Sequence, residues 1–307
     1  MGQISYKIGV DGGGTKTECI LVDAAGAIVA RHLAPGCNPN IVGPDQARQI
    51  VTEALNALTS TLNAQPSTLN SSPTTTTLLC MSGNRGFWRE FAASLQGFGR
   101  VTAIDDSHPV LELATHGQPG LVLHAGTGSF VAARAPDGSV HYAGGLGWRF
   151  GDPGSGYEIG RRAIARALLE VQGWSEPTAL GQAIRDHTLA NGAGDTTNLS
   201  RFYYQNPDPN RVIAALAPLV LQLASAGEAT ASQLLVESAR ELLRLAEEVA
   251  AKLFSPTRLS AVRAGLSGPI LTHPLIRQAL VSCTALPLAP IEGSPIDGVR
   301  RLLAREK

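Results

Sequence analysis

Residues 4–23 read ISYKIGVDGGGTKTECILVD and decide the fold. Two β-rich runs, residues 4–10 and 17–23, enclose three successive glycines. Glycines let consecutive backbone N–H groups converge on an anion because no Cβ blocks the approach, and Thr15 and Thr17 add hydroxyl donors. The motif is neither a Walker loop nor a dinucleotide fingerprint, since no Gly-Lys-Ser/Thr is present and a strand follows. Residues 11–17 therefore predict a phosphate-binding hairpin turn, with a purely structural turn as the alternative.

A second glycine turn occupies the corresponding place in the middle of the chain. The stretch HAGTGS, residues 124–129, lies between strands predicted over 120–125 and 128–134, after a turn-rich boundary at 117–120. Alone, it is as compatible with a structural turn as with a binding loop. Two hydroxyl-bearing glycine turns that open two similar blocks indicate a duplicated α/β unit. Together they predict that a nucleotide polyphosphate is held from both sides.

The remaining patterns predict alternating strands and helices. The predicted elements are strands over 27–33, 78–82, 100–104, 139–143 and 258–264, helices over 44–63, 86–96 and 107–116, and a mostly helical stretch over about 154–253. Residues 64–77 are polar and low in complexity, which predicts a loose surface loop. Strands that alternate with helices indicate parallel pairing through crossover connections.

A third glycine cluster, GGLGWRFGDPGSG, covers residues 144–156. Glycine is costly inside helices and strands, so this density indicates a loop that approaches a ligand closely. Trp148 and Phe150 predict that the loop packs against the protein. Asp152 precedes a helix predicted to start near Gly154, so a plain helix N-cap is the alternative to a binding role.

Composition and charge exclude several classes of protein. The chain has 25 Lys plus Arg and 25 Asp plus Glu, so its formal net charge is zero and nothing draws it to nucleic acid or to an anionic membrane. It contains no apolar run long enough for a membrane helix and no apolar leader segment, so we expect a cytoplasmic protein. Its seven histidines have no metal-binding spacing. The cysteines form no CxxC pair and are expected to be reduced thiols: Cys19, Cys37, Cys80 and Cys283.

Taken together, the motifs resemble those of the BadF/BadG/BcrA/BcrD ATPases, within the superfamily of sugar kinases, heat-shock chaperones and actin. Among these, the chain is most similar to the N-acetylglucosamine and glucosamine kinases. The resemblance extends over essentially the whole chain. It rests on DGGGTKT at 11–17, GCNPN at 36–40, MSGNRG at 81–86, DD at 105–106, AGTGS at 125–129, GGLGWRFGDPGSGYEIG at 144–160, GLSGP at 265–269 and SPIDG at 294–298.

The resemblance implies a two-domain α/β fold of the actin-like, ribonuclease H-like type with a central nucleotide and sugar cleft. The first domain would comprise residues 1–117 and be rejoined by a C-terminal helix within 293–307, and the second would comprise residues 118–292. The implied activity is ATP-dependent phosphorylation of the 6-hydroxyl of an amino sugar, N-acetylglucosamine first and glucosamine next. ATP and Mg²⁺ are the expected cofactors, and a homodimer is the expected assembly.

Carried over motif by motif, the resemblance also assigns individual residues. Asp106 would be the catalytic base that accepts the proton of the sugar hydroxyl, with Asp105 as a competing candidate and a helix N-cap as the plain alternative for both. Asp11 would steer Mg²⁺ through water. The implied ATP contacts are Gly12, Gly13, Gly14, Thr15 and Lys16 from one side, Thr127 from the other, and Gly265 and Gly268 near the adenosine. The implied sugar contacts are Asn38, Asp106, Gly128, Ser129, Gly145, Gly147 and Asp152.

Three positions depart from the family pattern and bear on the choice of sugar. Leu146 stands where many relatives have Trp, Pro153 replaces a Glu, and Phe130 follows GTGS where the animal kinases have an Asn. Two other functions remain open. A BadF-type activator ATPase would need cysteines clustered for an iron–sulfur centre, and a sugar-sensing regulator would need a DNA-binding segment, for which the first strand leaves no room. Arg161 and Arg162 are expected to form a solvated helix face.

Overall fold

The computed structural model describes residues 5–63, 74–192 and 198–306. The chain divides into two compact units, Met1–His116 with Glu292–Lys307 (unit 1) and Gly117–Ile291 (unit 2). The elements before residue 117 are β1 (Tyr6–Gly12), β2 (Lys16–Val22), β3 (Ile28–Pro35), α1 (Pro39–Val42), α2 (Pro44–Asn63), β4 (Thr74–Met81), α3 (Arg85–Ser94), β5 (Arg100–Asp105) and α4 (Ser107–Thr115).

Unit 2 contains the second set of strands and most of the helices. Its elements are β6 (Gly120–Ala125), β7 (Ser129–Arg134), β8 (Val140–Gly144), α5 (Gly156–Val171), α6 (Ala179–Ala190), α7 (Leu199–Tyr204), α8 (Pro209–Ala214), α9 (Ala217–Ser225), α10 (Ala229–Leu253), β9 (Arg263–Ser267), α11 (Pro274–Val281) and β10 (Leu288–Pro290). The last helix, α12 (Pro295–Arg305), belongs to unit 1 and begins with a capping box between Ser294 and Asp297.

Each unit is built on a five-stranded mixed sheet, and the two sheets share one topology. The order is β3-β2-β1-β4-β5 in unit 1 and β8-β7-β6-β9-β10 in unit 2. In both sheets, the first three strands form an antiparallel meander. The fourth strand pairs in parallel with the first, and the fifth pairs in parallel with the fourth. This repetition confirms the duplicated α/β unit that the two glycine turns predict, and the α/β fold class is confirmed with it.

Apolar side chains cover both faces of the unit 1 sheet. On one face Ile8 and Val10 of β1 pack with Leu55 of α2. On the other face Ile20 and Leu78 pack with Val299 and Leu303 of α12, among other residues. Helix α12 also lies close to α4, because a Cβ built on Gly298 would be only 2.2 Å from the carbonyl oxygen of Pro109. Glycine at position 298 therefore permits the contact that fixes α4.

Most predicted element boundaries agree with the structure, and two need correction. Helix α2 covers residues 44–63 as predicted, whereas β4 begins at Thr74, so residues 74–77 are strand and not polar loop. Thr76 and Thr77 are buried, and the Thr77 hydroxyl donates to the Phe98 carbonyl, which removes the cost of burying it. Residues 64–73 of the predicted loop lie outside the described residues. The strand predicted over 258–264 is β9 at Arg263–Ser267, preceded by a 3₁₀ turn at Leu259–Ala261.

Candidate functional site

The first glycine turn lies between β1 and β2 and is tighter than the sequence motif indicates. Asp11 and Gly12 still belong to β1, and the Gly13 amide closes the turn by donating to the Lys16 carbonyl at 2.9 Å. A Cβ on Gly12 would be 2.5 Å from the Met81 Cε atom at the end of β4 and 2.8 Å from Cys37 Sγ, so a larger residue would have to displace these side chains. Thr15 and Lys16 are exposed, and Lys16 Nζ lies 3.2 Å from Glu18 Oε2.

The GCNPN segment packs directly on this turn. The Cys37 amide donates to the Gly13 carbonyl at 3.0 Å, and a Cβ on Gly36 would be 2.2 Å from the Gly14 oxygen. Thr17 is fully buried and its hydroxyl donates to the Pro35 carbonyl at 2.8 Å. The prediction that Thr17 supplies a phosphate donor is therefore wrong: β2 turns its side chain inward, where it anchors the segment that precedes GCNPN.

Asn38 is held between two loops of unit 1. Its side-chain oxygen caps α1 by accepting from the Asn40 amide at 3.0 Å. The MSGN loop after β4 lies against it, since a Cβ on Gly83 would be 2.5 Å from Asn38 Oδ1 and Gly83 has a positive φ of 93°. Only glycine is readily accommodated at that position. The structure thus gives the MSGNRG motif a role that the sequence did not, which is to orient Asn38.

Adjacent aspartates at the end of β5 have different environments. Asp105 accepts from the Ser107 amide at 3.1 Å and from Arg85 Nε at 2.8 Å. Asp106 occupies the N-cap position of α4 with a helical backbone conformation, and its side chain makes no capping hydrogen bond. A capping side chain normally needs an extended backbone, so the N-cap alternative is wrong for Asp106. Asp105 bonds the first turn of α4 instead, and the Asp106 carboxyl contacts the Asp105 side chain rather than the helix backbone.

Burial and neighbouring charge alter the acidity of two carboxyl groups in unit 1. Burial, together with the carboxylates of Asp105 and Asp11, raises the pKa of Asp106 to about 8. Burial also raises the pKa of Asp11 to about 6, with Lys16 lowering it and Glu18 raising it. A carboxyl group with a pKa near neutrality is suited to accept a proton from a hydroxyl group. The two side chains form an acidic pair whose repulsion a cation would relieve.

This acidic pair fits a weakly coordinated Mg²⁺. In the described part of the chain, no group of three or more His, Cys, Asp or Glu side chains could hold a metal ion. Mg²⁺ commonly binds through one or two carboxylates, several waters and the phosphates of a nucleotide. Asp11 is therefore compatible with contact to Mg²⁺ through water.

The second glycine turn, in unit 2, is fixed by the start of α5. The Gly156 amide donates to the Gly126 carbonyl at 2.8 Å, and the Tyr157 amide donates to the Thr127 carbonyl at 3.3 Å. Ser129 is buried, and its hydroxyl donates to the Pro153 carbonyl at 2.6 Å. These bonds join AGTGS to the third glycine cluster.

Asp152 organises the third glycine cluster from inside. It is buried, and its Oδ1 accepts from the Gly147 amide at 3.0 Å, while a Cβ on Gly128 would be 3.0 Å from its Oδ2. Burial raises the pKa of Asp152, and the amides of Gly147 and Leu146 lower it in part. The N-cap of α5 is Ser155, which accepts from the Glu158 amide. The N-cap alternative for Asp152 is therefore wrong.

The aromatic residues of this cluster differ from expectation. Trp148 packs against Tyr157 with ring centroids 5.3 Å apart, as predicted. Phe150 is 82% exposed, so the expectation that it packs is wrong. A turn in which the Phe150 amide donates to the Gly147 carbonyl places its side chain at the tip of the loop. Gly145 has a positive φ of 60°, and a Cβ there would be 2.1 Å from the Tyr142 hydroxyl.

The loop after β9 lies against the second glycine turn. Gly265 pairs with Val122 of β6. Gly268 has a φ of 88°, and a Cβ on it would be 2.1 Å from the Ala125 carbonyl oxygen. Arg161 and Arg162 are both ion-paired to Glu158, and Arg162 also to Glu241, so they form a paired surface rather than a freely solvated one.

The structure groups the predicted site residues unit by unit. Unit 1 carries Asp11, Gly12, Gly13, Gly14, Thr15, Lys16, Asn38 and Asp106. Unit 2 carries Thr127, Gly128, Ser129, Gly145, Gly147, Asp152, Gly265 and Gly268. Sequence reasoning missed a role for His124, which stacks on Phe130 and contacts Ser267. The sequence signal that could have indicated this role is the histidine itself, which stands near the end of an otherwise apolar strand at residues 120–125.

No helix in the described ranges combines the length and the apolar character needed to cross a bilayer.

Comparison with known proteins adds three relatives. An N-acetyl-D-glucosamine kinase from Dictyostelium discoideum is 28% identical over 256 residues, which cover 80% of this chain and 79% of the relative. An N-acetylmuramic acid/N-acetylglucosamine kinase from Clostridium acetobutylicum is 25% identical over 239 residues, covering 78% and 77%.

A solved structure agrees with this chain over nearly its full length. The protein from Chromobacterium violaceum, provisionally assigned as an N-acetylglucosamine kinase, superimposes with a TM-score of 0.77 at 28% identity, covering 98% of this chain and 100% of that one. The family model of the BadF/BadG/BcrA/BcrD ATPases matches residues 8–260. With its repeated sheets and glycine turns, the chain belongs to the BadF/BadG/BcrA/BcrD ATPase family.

Proposed function

We propose that this protein is an ATP-dependent, Mg²⁺-requiring kinase that phosphorylates the 6-hydroxyl of an amino sugar, N-acetylglucosamine first and glucosamine next. The observation that carries the proposal is the Asp106 carboxyl, which is free of capping bonds and has a pKa raised by burial to about 8. Its neighbour Asp105 is engaged by Arg85 and by the Ser107 amide. Relatives named as kinases of N-acetylated amino sugars support the substrate class.

In the proposed reaction, Asp106 accepts the proton of the sugar 6-hydroxyl as that oxygen attacks the γ-phosphorus of ATP. The new bond joins the sugar oxygen to phosphorus, the bond between the γ-phosphorus and the β,γ-bridging oxygen breaks, and ADP leaves. Phosphoryl transfer depends mainly on positioning and on charge stabilisation. Mg²⁺, when bound, would neutralise charge on the phosphates, and Asp11 is the residue proposed to orient it through water.

The other site residues are proposed to bind and orient the two substrates. Gly12, Gly13, Gly14, Thr15 and Lys16 in unit 1 and Thr127 in unit 2 would contact the ATP phosphates, and Gly265 and Gly268 the adenosine. Asn38, Gly128, Ser129, Gly145, Gly147 and Asp152 would contact the sugar. Ser129 and Asp152 already bond the backbone of the third glycine cluster at Pro153 and Gly147. Part of their proposed contribution is therefore to hold that loop in shape.

The activator alternative is less compatible with the cysteines. Burial raises the pKa of Cys19 to about 12 and of Cys37 to about 11, and the Cys80 pKa is also raised by burial. Iron–sulfur ligands are thiolates, so these environments oppose that role. Cys283 is exposed, but it belongs to unit 2.

Location and assembly are proposed from the substrate and from the surface of unit 2. ATP as a substrate supports the cytoplasm as the working compartment. A homodimer is supported by exposed apolar side chains at the end of α5 and just after it, where Leu169, Val171 and Trp174 are 44%, 42% and 81% exposed. Exposed apolar groups of this kind commonly mark association surfaces. Light scattering on the purified protein, with Trp174→Ala as the variant, tests the assembly.

The decisive experiment is an ADP-release assay with a panel of sugars, comparing N-acetylglucosamine, glucosamine, N-acetylmannosamine, N-acetylmuramic acid and glucose. We expect sugar-dependent ADP release with one of the first two as the best substrate, and phosphorus NMR should place the phosphate on the 6-oxygen. Asp106→Asn should remove the activity and retain ADP binding. ATP turnover that does not depend on sugar would refute the kinase assignment.

A further inference from the structure

His124 lies on the face of the unit 2 sheet opposite the helical core. Leu121 and Leu123 of β6 belong to that core, and strand alternation directs His124 to the other side. On that face it pairs in register with Phe130 of β7 and with Ser267 of β9. Its ring stacks on Phe130 with centroids 4.9 Å apart, and Phe130 stacks in turn on Tyr142 at 5.1 Å. The imidazole is therefore held in one orientation.

The two ring nitrogens of His124 face different groups. Nδ1 lies 2.9 Å from Ser267 Oγ, and Nε2 would be 3.4 Å from a Cβ built on Gly126. Ser267 is buried, and within the described ranges its hydroxyl has no other hydrogen-bond partner. A buried hydroxyl proton needs an acceptor, so Ser267 donates and Nδ1 accepts. The proton of the neutral ring is then on Nε2, beside Gly126.

Burial lowers the pKa of His124 to about 4. The imidazole is therefore neutral in ADP-binding and kinase assays near neutral pH, and Nδ1 keeps the lone pair that accepts from Ser267. A protonated ring would present a second N–H to the Ser267 oxygen and reverse this bond.

The bond joins two loops at their strand ends. His124 immediately precedes residues 125–129, and Ser267 immediately precedes Gly268. The same loops also meet where Gly268 lies against the Ala125 carbonyl. A fixed relation between them matters if one contacts phosphates and the other adenosine, because a nucleotide must satisfy both at once.

We propose that His124 is a positioning residue for nucleotide binding, which accepts a hydrogen bond from Ser267 at Nδ1 and thereby fixes the loop at 265–268 relative to the loop at 126–129. The inference rests on the proposed function, which makes these two loops the nucleotide contacts in unit 2. His124 acts through the loops and needs no contact with the reacting atoms.

The test uses the full chain and measures binding of Mg²⁺-ADP by calorimetry together with KM for each substrate. Ser267→Ala removes the donor with little change in volume, and we expect about a fivefold weaker ADP affinity, typical of one neutral hydrogen bond. ATP KM should rise in parallel, and KM for N-acetylglucosamine should stay within about twofold. His124→Asn places an oxygen near the Nδ1 position and should keep the wild-type affinity for ADP. His124→Gln does not place an oxygen there and should not keep that affinity.

Two further measurements separate positioning from general folding. The double variant His124→Ala with Ser267→Ala should bind ADP no more weakly than the weaker single variant, since both remove one bond. Nitrogen NMR of the histidine rings should show His124 with its proton on Nε2. His141→Ala is the matched control, because His141 lies exposed on β8 of the same sheet, and its loss should leave ADP affinity unchanged.

Three results would overturn the inference. These are unchanged ADP affinity in folded Ser267→Ala, losses that multiply in the double variant, or a proton on Nδ1. Failure of the wild-type protein to bind ADP at all would instead refute the proposed function, so the two failures are distinguishable.

Discussion

Replacement of Asp106 by asparagine should stabilise the protein while it removes activity. Burial, with Asp105 and Asp11 nearby, raises the pKa of the Asp106 carboxyl from 3.8 to about 8. The folded protein therefore binds this proton more tightly than the unfolded chain does. Ionisation costs folding free energy once the pH exceeds about 4, and the cost grows until the pH reaches the folded pKa. Asparagine removes this cost, because it keeps the shape of the side chain without the charge.

The magnitude follows from the difference in pKa. If Asp106 carried the whole difference alone, it would correspond to about 5 kcal/mol at pH 8. The charge is shared with neighbouring carboxyl groups and the side chain keeps some exposure, both of which reduce the gain. We expect about 1–2 kcal/mol, or about 2–3 °C in Tm, at pH 8 without Mg²⁺ or nucleotide. At pH 4.5 the gain should be several-fold smaller.

Thermal unfolding at both pH values, together with sugar kinase activity, checks this. Activity should fall by about 10²–10⁴-fold, as expected for loss of a general base. Asp105→Asn is the matched control, because it removes the charge paired with Arg85 and leaves an acceptor oxygen for only one of the two bonds, to Arg85 or to the Ser107 amide, so it should lower Tm. An Asp106→Asn variant that is destabilised equally at both pH values, or that keeps wild-type turnover, would contradict the assignment of Asp106 as a buried general base.

Three further substitutions test the scaffold around the site. Gly298→Ala should cost more than about 2 kcal/mol in urea unfolding, because the new Cβ would be 2.2 Å from the Pro109 carbonyl oxygen. Ser129→Ala removes the 2.6 Å bond to Pro153 and should raise KM for the sugar about fivefold, with ATP KM unchanged in the same assay. Glu170→Gln should cost about 3 kcal/mol at neutral pH, because it removes the buried charge shared by Arg166 and Arg185 and replaces one of the two oxygens that accept from Arg166, Arg185 and Thr178. Burial alone raises the pKa of Glu170, but these bonds hold it below its ordinary value of 4.5, so the loss should shrink as the pH falls below that ordinary value in acid-dependent unfolding.

The fold was largely predictable because its signals are local. The glycine turns, the hairpins around them and the amphipathic helix at 44–63 each depend on neighbouring residues in the sequence. The errors occurred where tertiary contacts outweigh composition. Threonines at 74–77 look like a polar loop, but β4 pairs with both β1 and β5 and buries Thr76 and Thr77.

The candidate site was predictable only as a set of motifs. The motifs identified which residues are candidates, but not which hydrogen bonds each one already makes. Thr17 and Thr15 have the same hydroxyl and lie two positions apart, yet one is buried against Pro35 and the other is exposed. Asp105 and Asp106 are adjacent and identical, yet Asp105 accepts from Arg85 and from the Ser107 amide while Asp106 makes no capping bond. Side-chain direction at a strand end depends on the local backbone, which one sequence does not reveal.

The repeated sheets show why the two glycine turns are not equivalent in chemistry despite their common position. In unit 1 the turn is fixed by the segment that contains Asn38, through the bond from the Cys37 amide to Gly13. In unit 2 it is fixed by the start of α5, through the bond from Gly156 to Gly126. The shared strand order gives both turns their place, while different neighbours decide what each can bind. The proposed phosphate loops are thus one backbone device placed in two environments.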